Sequence, residues 1–98
     1  MMALGRGVKI RFFAWLREEI GAPSISLEGV SSLDDLISQL REMLGEKSEV
    51  LFSSDGSLRS HIVLAVNNVV IDIRQKNLRT VLLKEGDIID IMPLGSGG

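Results

Sequence analysis

From position 8 the chain alternates. Val8, Ile10, Phe12, Ala14 and Leu16 fall on one side, and Lys9, Arg11, Phe13 and Trp15 on the other. A two-residue period with β-branched and aromatic content predicts a strand over 8–16, its first set facing a core. Arg17-Glu18-Glu19 reads as a solvated loop, and Gly21 and Pro23 mark a turn. Ser24-Ile25-Ser26-Leu27-Glu28 alternates again, as the returning strand of a hairpin closed by Gly29. The period then lengthens. Leu33, Leu36, Ile37, Leu40, Met43 and Leu44 recur at helical spacing and predict one apolar stripe. Ser31 and Ser32 offer N-caps, Asp34 and Asp35 suit the positive end of the helix dipole, and Gly45 supplies the stop.

Past Gly45 the pattern weakens. Residues 45–60 read as a polar surface loop, the most mobile internal segment, with one apolar anchor at Val50-Leu51-Phe52. His61 to Val66 is a short apolar run, the signature of a strand buried on much of both faces. Asn67-Asn68 suits a tight hairpin turn, because Asn tolerates positive φ, and Val69 to Ile73 is the partner strand. Arg74 to Leu78 is a polar connection. Thr80 to Leu83 predicts a short helical turn that plugs the core with Val81 or Leu82. Gly86 takes the special φ of a turn into the final strand, Asp87 to Met92. This order implies an α+β fold, a mixed sheet of four or five strands on one main helix. If the first and last strands lie side by side they run parallel, which is the β-grasp (ubiquitin-like) arrangement.

The 98 residues suffice for a single domain, 1–98, with a flexible C-terminal tail over 93–98. Such a chain buries roughly 60–65% of its unfolded surface, enough for one modest core. Charged residues make up 24% and the net charge is −2, which argues against nucleic acid as the main partner. The absence of cysteine removes disulfides, thiolate catalysis and Cys-ligated metal sites. No apolar run reaches membrane-span length, and Met1 to Gly7 lacks a signal-type apolar core, so a cytoplasmic location is expected.

The candidate chemistry lies at the end, Met92-Pro93-Leu94-Gly95-Ser96-Gly97-Gly98. A segment without bulky side chains can thread a narrow channel, since glycine lets backbone approach where a Cβ would clash. A terminal carboxylate is inert until an enzyme converts it to an acyl-adenylate, which a sulfide, thiol or amine can then attack. Gly98 is therefore the candidate reacting residue, with Gly97 beside it.

Several motifs resemble one family. Lys9-Ile10-Arg11-Phe12-Phe13-Ala14, then Leu16-Arg17-Glu18 and Gly21, resembles the opening of the molybdopterin synthase small subunit. Ala65-Val66-Asn67, Leu82 or Leu83, Gly86-Asp87, Pro93 and Gly97-Gly98 resemble its second half. The wider group is the ubiquitin-like sulfur carriers, with the thiamine-pathway carrier and archaeal modifiers. The resemblance implies that an ATP- and Mg²⁺-using, ubiquitin-activating-type enzyme adenylates Gly98, and that sulfur transfer makes a thiocarboxylate. It further implies a molybdopterin synthase large subunit, in an α₂β₂ assembly, as acceptor, with this chain as the non-catalytic small subunit that binds no cofactor or metal itself. The alternatives are a protein modifier joined to lysines through Gly98, a carrier for thiamine or tRNA thiolation, and an interaction module whose tail is incidental. One departure is Pro93-Leu94, where family tails often have two prolines.

Phe13 and Trp15 have two readings: a partner-docking patch, since aromatics are enriched at interface hot spots, or cover for the sheet edge or the 45–60 loop. Ile88 and Met92, on the outward face of the last strand, extend the same patch, and Pro93, Leu94, Gly95 and Ser96 continue it along the tail. His61, the only histidine, has no second His and no Cys to join, and reads as a strand-start residue. Asp34-Asp35 is explained by the helix first turn.

Overall fold

The computed structural model describes residues 7–74 and 77–94. The elements are β1 (Val8–Phe12), α1 (Leu16–Ile20), β2 (Ser24–Leu27), α2 (Leu33–Leu44), β3 (Ile62–Val66), β4 (Val69–Ile71) and β5 (Ile88–Pro93). Short 3₁₀ turns occupy Gly45–Val50 and Leu78–Thr80. The five strands form one sheet in the order β2-β1-β5-β3-β4. β1 and β5 run parallel, with Ile10 level with Ile89 and Phe12 with Ile91, and the other neighbours are antiparallel. The last strand of the chain is thus the middle strand of the sheet.

One sheet face is covered by α2. Ile10, Phe12, Leu64, Ile89 and Ile91 meet Leu33, Leu36, Ile37 and Leu40 there, all within one buried cluster. Ser32 caps the helix by accepting from the Asp35 amide, and Asp35 returns a carboxylate oxygen to the Ser31 amide. This reciprocal arrangement satisfies donors that a helix start otherwise leaves open. Asn67 and Asn68 turn the β3–β4 hairpin at φ 49° and 72°, the two positive values that a type I′ turn requires.

Several expectations are corrected. The first strand stops at Phe12, not at position 16. Ala14 adopts φ 56°, and the Leu16 amide turns back to the Phe13 carbonyl, which starts α1. Arg17-Glu18-Glu19 is therefore helical, not loop. Leu16 still reaches the core because the turn returns it there. Met43 is 54% exposed, since it lies on the flank of the α2 stripe rather than within it. The 45–60 segment opens with the 3₁₀ turn Gly45–Val50, and its apolar anchor is in place. Leu51 and Phe52 are buried, the Arg41 guanidinium lies over the Phe52 ring and donates to the Gly56 carbonyl, and Arg59 donates to the Glu49 carbonyl. In its tip the Ser53 and Ser57 hydroxyls hold the Asp55 carboxyl down to about 2. The helical turn near Thr80 falls earlier, at Leu78–Thr80. Residues 81–83 are extended, with Leu33 N–H bonded to the Val81 carbonyl and Leu83 N–H to that of Ser31. Extended backbone sends alternate side chains to opposite sides. Hence Val81 and Leu83 face inward and Leu82 is 75% exposed. β4 ends at Ile71, short of Ile73.

Candidate partner-docking face and tail exit

β5 alternates across the sheet as its sequence predicts. Ile89 and Ile91 point into the core, and Ile88, Asp90 and Met92 stand on the face that α2 leaves bare. Strand register sets their neighbours. Arg11 and Ala65 flank Asp90, and Val63 flanks Met92. The Phe13 amide donates to the Ile91 carbonyl at 3.1 Å, which carries the β1–β5 pairing one step on and puts Phe13 level with Met92. Phe13, Met92 and Val63 thus form an apolar row across the exit end of the bare face.

Two residues back along the same face sits an ion pair. Arg11 Nε and Nη2 donate to the two Asp90 carboxylate oxygens at 2.6 and 2.9 Å. The Asp90 side chain is 7% exposed and that of Arg11 40% exposed. This hydrogen bonding raises the Arg11 pKa above its ordinary value, with burial opposing it more weakly. The guanidinium also lies 5.5 Å from the Phe13 ring centroid, within cation–π range. Two strands 79 positions apart in sequence are joined by a fork whose geometry admits one register.

The chain leaves the sheet at the end of β5. Pro93 is opposite Ile62 and buried, so it closes the strand rather than belonging to an exposed tail. The Leu94 amide still donates to the His61 carbonyl at 2.6 Å, while its side chain is 67% exposed. The Trp15 ring stacks on His61 at 6.0 Å and 26°. Trp15 does not share the face of Phe13 in the simple alternation, because the positive φ at Ala14 intervenes. It reaches the exit by a different route, over His61.

Of the residues picked out from sequence, Phe13, Trp15, Met92 and Leu94 gather around the exit. Ile88 does not. It lies on the same face but at the opposite end of β5, level with Lys9, roughly 13 Å along the strand from Met92. Gly95, Ser96, Gly97 and Gly98 lie outside the described residues. Arg11, Asp90 and the Trp15–His61 contact were missed by sequence reasoning. The only signal was Asp90, a charge in an otherwise apolar strand.

At the entry end of β5, Asp87 is buried and accepts from the Lys84 amide and the Asn67 side-chain amide. Burial acts to raise its pKa, but these bonds outweigh it and hold the carboxyl below its ordinary value. A hollow of about 570 Å³ lies elsewhere, beside α2, lined by residues including Ile37, Arg41, Ile73 and Leu78. Among the described residues no group of three His, Cys, Asp or Glu side chains could hold a metal ion, and no helix is long and apolar enough to cross a membrane.

A mixed sheet with a parallel first-to-last pair, one packed helix and a final strand that ends at an apolar rim defines the β-grasp, ubiquitin-like class. Solved structures agree. Small archaeal modifier protein 1 from Methanosarcina acetivorans is 31% identical, with TM-score 0.71, over 95% of this chain and 97% of its own. The protein of the same name from Haloferax volcanii is 22% identical with TM-score 0.76, over 94% and 99%. A Pyrococcus furiosus protein assigned as molybdopterin converting factor subunit 1 is 22% identical with TM-score 0.67, over 91% and 98%. A search of curated proteins found no significant match. The family model for ThiS matches residues 10–98, and the chain belongs to the ThiS family of ubiquitin-fold sulfur carriers and modifiers.

Proposed function

We propose that this chain carries sulfur as a thiocarboxylate on Gly98 and delivers it in molybdopterin synthesis. The observation that carries the reading is the ThiS-family match, which runs through Gly97-Gly98. The geometry supports it. The middle strand of the sheet ends at Pro93, among Phe13, Trp15, Met92 and Leu94, and residues 95–98 come next in the sequence. A partner that receives the tail meets a ready apolar surface at its root. The opening and closing motifs that resemble the molybdopterin synthase small subunit support the particular pathway.

In this reading an adenylating partner uses ATP and Mg²⁺. The Gly98 carboxylate attacks the α-phosphate and pyrophosphate leaves. A sulfide equivalent then attacks the acyl carbon, AMP leaves, and one carboxylate oxygen has been replaced by sulfur. This chain supplies the acyl group and the docking surface, and the synthase large subunit takes the sulfur.

The test is the intact mass after incubation with the host's adenylating enzyme, ATP and a sulfur source. The expected result is a gain equal to the difference between sulfur and oxygen, lost when Gly98 is deleted or when one residue is appended after it. No gain, with the enzyme active on another carrier, overturns the reading.

A second reading, protein modification, is favoured by the 31% identity to the Methanosarcina modifier. The activated acyl group is the same, and only the nucleophile differs, a lysine amine in place of sulfide. Isopeptide-linked conjugates of this chain in host extract would support it.

A further inference from the structure

We propose that the hollow beside β1 is where an acidic segment of the adenylating partner docks. The inference rests on the carrier reading and names the chemistry of that partner's surface. The hollow is shallow, about 280 Å³, and is lined by Lys9, Arg11, Phe12, Phe13, Arg17, Pro23 and Ser24. Three of its residues are cations, in a chain whose net charge is −2. Among the described residues no carboxylate lines it. Glu18 and Glu19, the acidic residues of α1, are exposed outside it, and Asp90 lies beneath Arg11.

The three cations have different states. Arg11 spends Nε and Nη2 on Asp90, which fixes the guanidinium plane while Nη1 keeps its donors. A fixed fork loses little rotamer freedom when it accepts a partner oxygen. Among the described residues no hydrogen bond or ion pair engages the Lys9 ammonium or the Arg17 guanidinium, and both side chains are exposed. They are free to pair with carboxylates at low desolvation cost. A local positive hollow on a molecule of net negative charge also helps orient the encounter with an acidic partner surface.

Position links the hollow to the exit. Phe13 is a wall of the hollow and also a member of the Phe13–Met92–Val63 row. An acidic segment seated on Lys9, Arg11 and Arg17 therefore lies alongside the apolar strip that leads to the tail. The polar contact sets orientation, and the apolar row supplies burial.

The test is steady-state adenylation of the full chain by its host enzyme, at low and high salt. The double variant Lys9→Gln/Arg17→Gln removes two exposed charges and leaves the Arg11–Asp90 fork intact. The control, Arg74→Gln/Arg79→Gln, removes two exposed charges outside the hollow, so both variants have the same net charge. The expected result is a KM about three- to tenfold higher for the hollow variant, at unchanged kcat and thermal midpoint, with a flatter rise of KM with salt. The control shifts KM by less than about twofold. Equal effects of the two variants, or a fall in kcat at constant KM, overturn the proposal. So does an oligouridine probe that binds wild type and is lost in the hollow variant while KM is unmoved. A wild-type chain that the enzyme does not turn over overturns the carrier reading, and this inference with it. Normal turnover with an unaffected hollow variant overturns the inference alone.

Discussion

Replacing Asp87 by Asn tests how the middle strand is anchored. One carboxylate oxygen accepts the Lys84 amide at 2.9 Å and the other the Asn67 side-chain amide at 3.0 Å, with the Lys84 ammonium 3.4 Å away. The group thereby joins the β3–β4 hairpin to the turn that starts β5. Asn keeps one acceptor oxygen and presents an NH₂ to the second donor, so one bond is lost and the other loses its charge assistance. Hydrogen bonds to a charged acceptor contribute about 1.5–3 kcal/mol and neutral ones about 1. The ammonium adds little, since the Lys84 side chain is 83% exposed. The expected loss is about 2–3 kcal/mol at pH 7, a large part of the 5–15 kcal/mol typical of a domain. The sign of the pH dependence follows from the depressed native pKa. Above the unfolded value of about 3.9 both states are ionised and the stabilisation is fully present. As pH falls through that value and then through the lower native one, the unfolded chain takes up the proton first and the stabilisation disappears. Urea unfolding of wild type and Asp87→Asn, followed by far-ultraviolet circular dichroism from pH 7 to pH 3, should show a gap that narrows at the acid end. A gap that stays constant across that range, or one below about 0.5 kcal/mol at pH 7, would refute the reasoning.

Leu40→Ala in the fully buried α2 stripe should cost about 3–4 kcal/mol in the same assay, through lost burial and the cavity left behind. Ala14→Gly and Gly86→Ala form an opposed pair, since both positions have positive φ, 56° and 90°. The first should be neutral or stabilise by up to about 1 kcal/mol, and the second should destabilise by about 1–2, because the left-handed region penalises a Cβ. Phe13→Asp should weaken binding to the adenylating partner at least tenfold, by roughly 1.4 kcal/mol or more, without unfolding the chain. Unchanged affinity by calorimetry would remove Phe13 from the docking face.

Local pattern was enough for most elements. The α2 stripe, its Ser32 cap and Gly45 stop, the Asn67-Asn68 turn and the alternation of β5 are each encoded within a few neighbouring residues. The β-grasp order and the membership of the carrier group were legible for the same reason, since they follow from element sequence and short motifs. Pattern failed where a backbone choice overrode parity. Ala14 at positive φ ended a strand whose hydrophobic alternation continued, and an extended 81–83 segment exchanged Leu82 for Leu83 in the core.

The chain alone therefore determined the periodicities, the turns and the candidate reacting glycine. Tertiary structure decided which of those pieces became neighbours. Arg11 meets Asp90 only because β5 inserts beside β1, and Trp15 meets His61 only because β3 lies on the other side of β5. The cationic hollow likewise exists only because α1 brings Arg17 alongside Lys9 and Arg11. Residue types fix what each side chain can do, but contacts across tens of positions depend on strand order and register, which local periodicity does not encode.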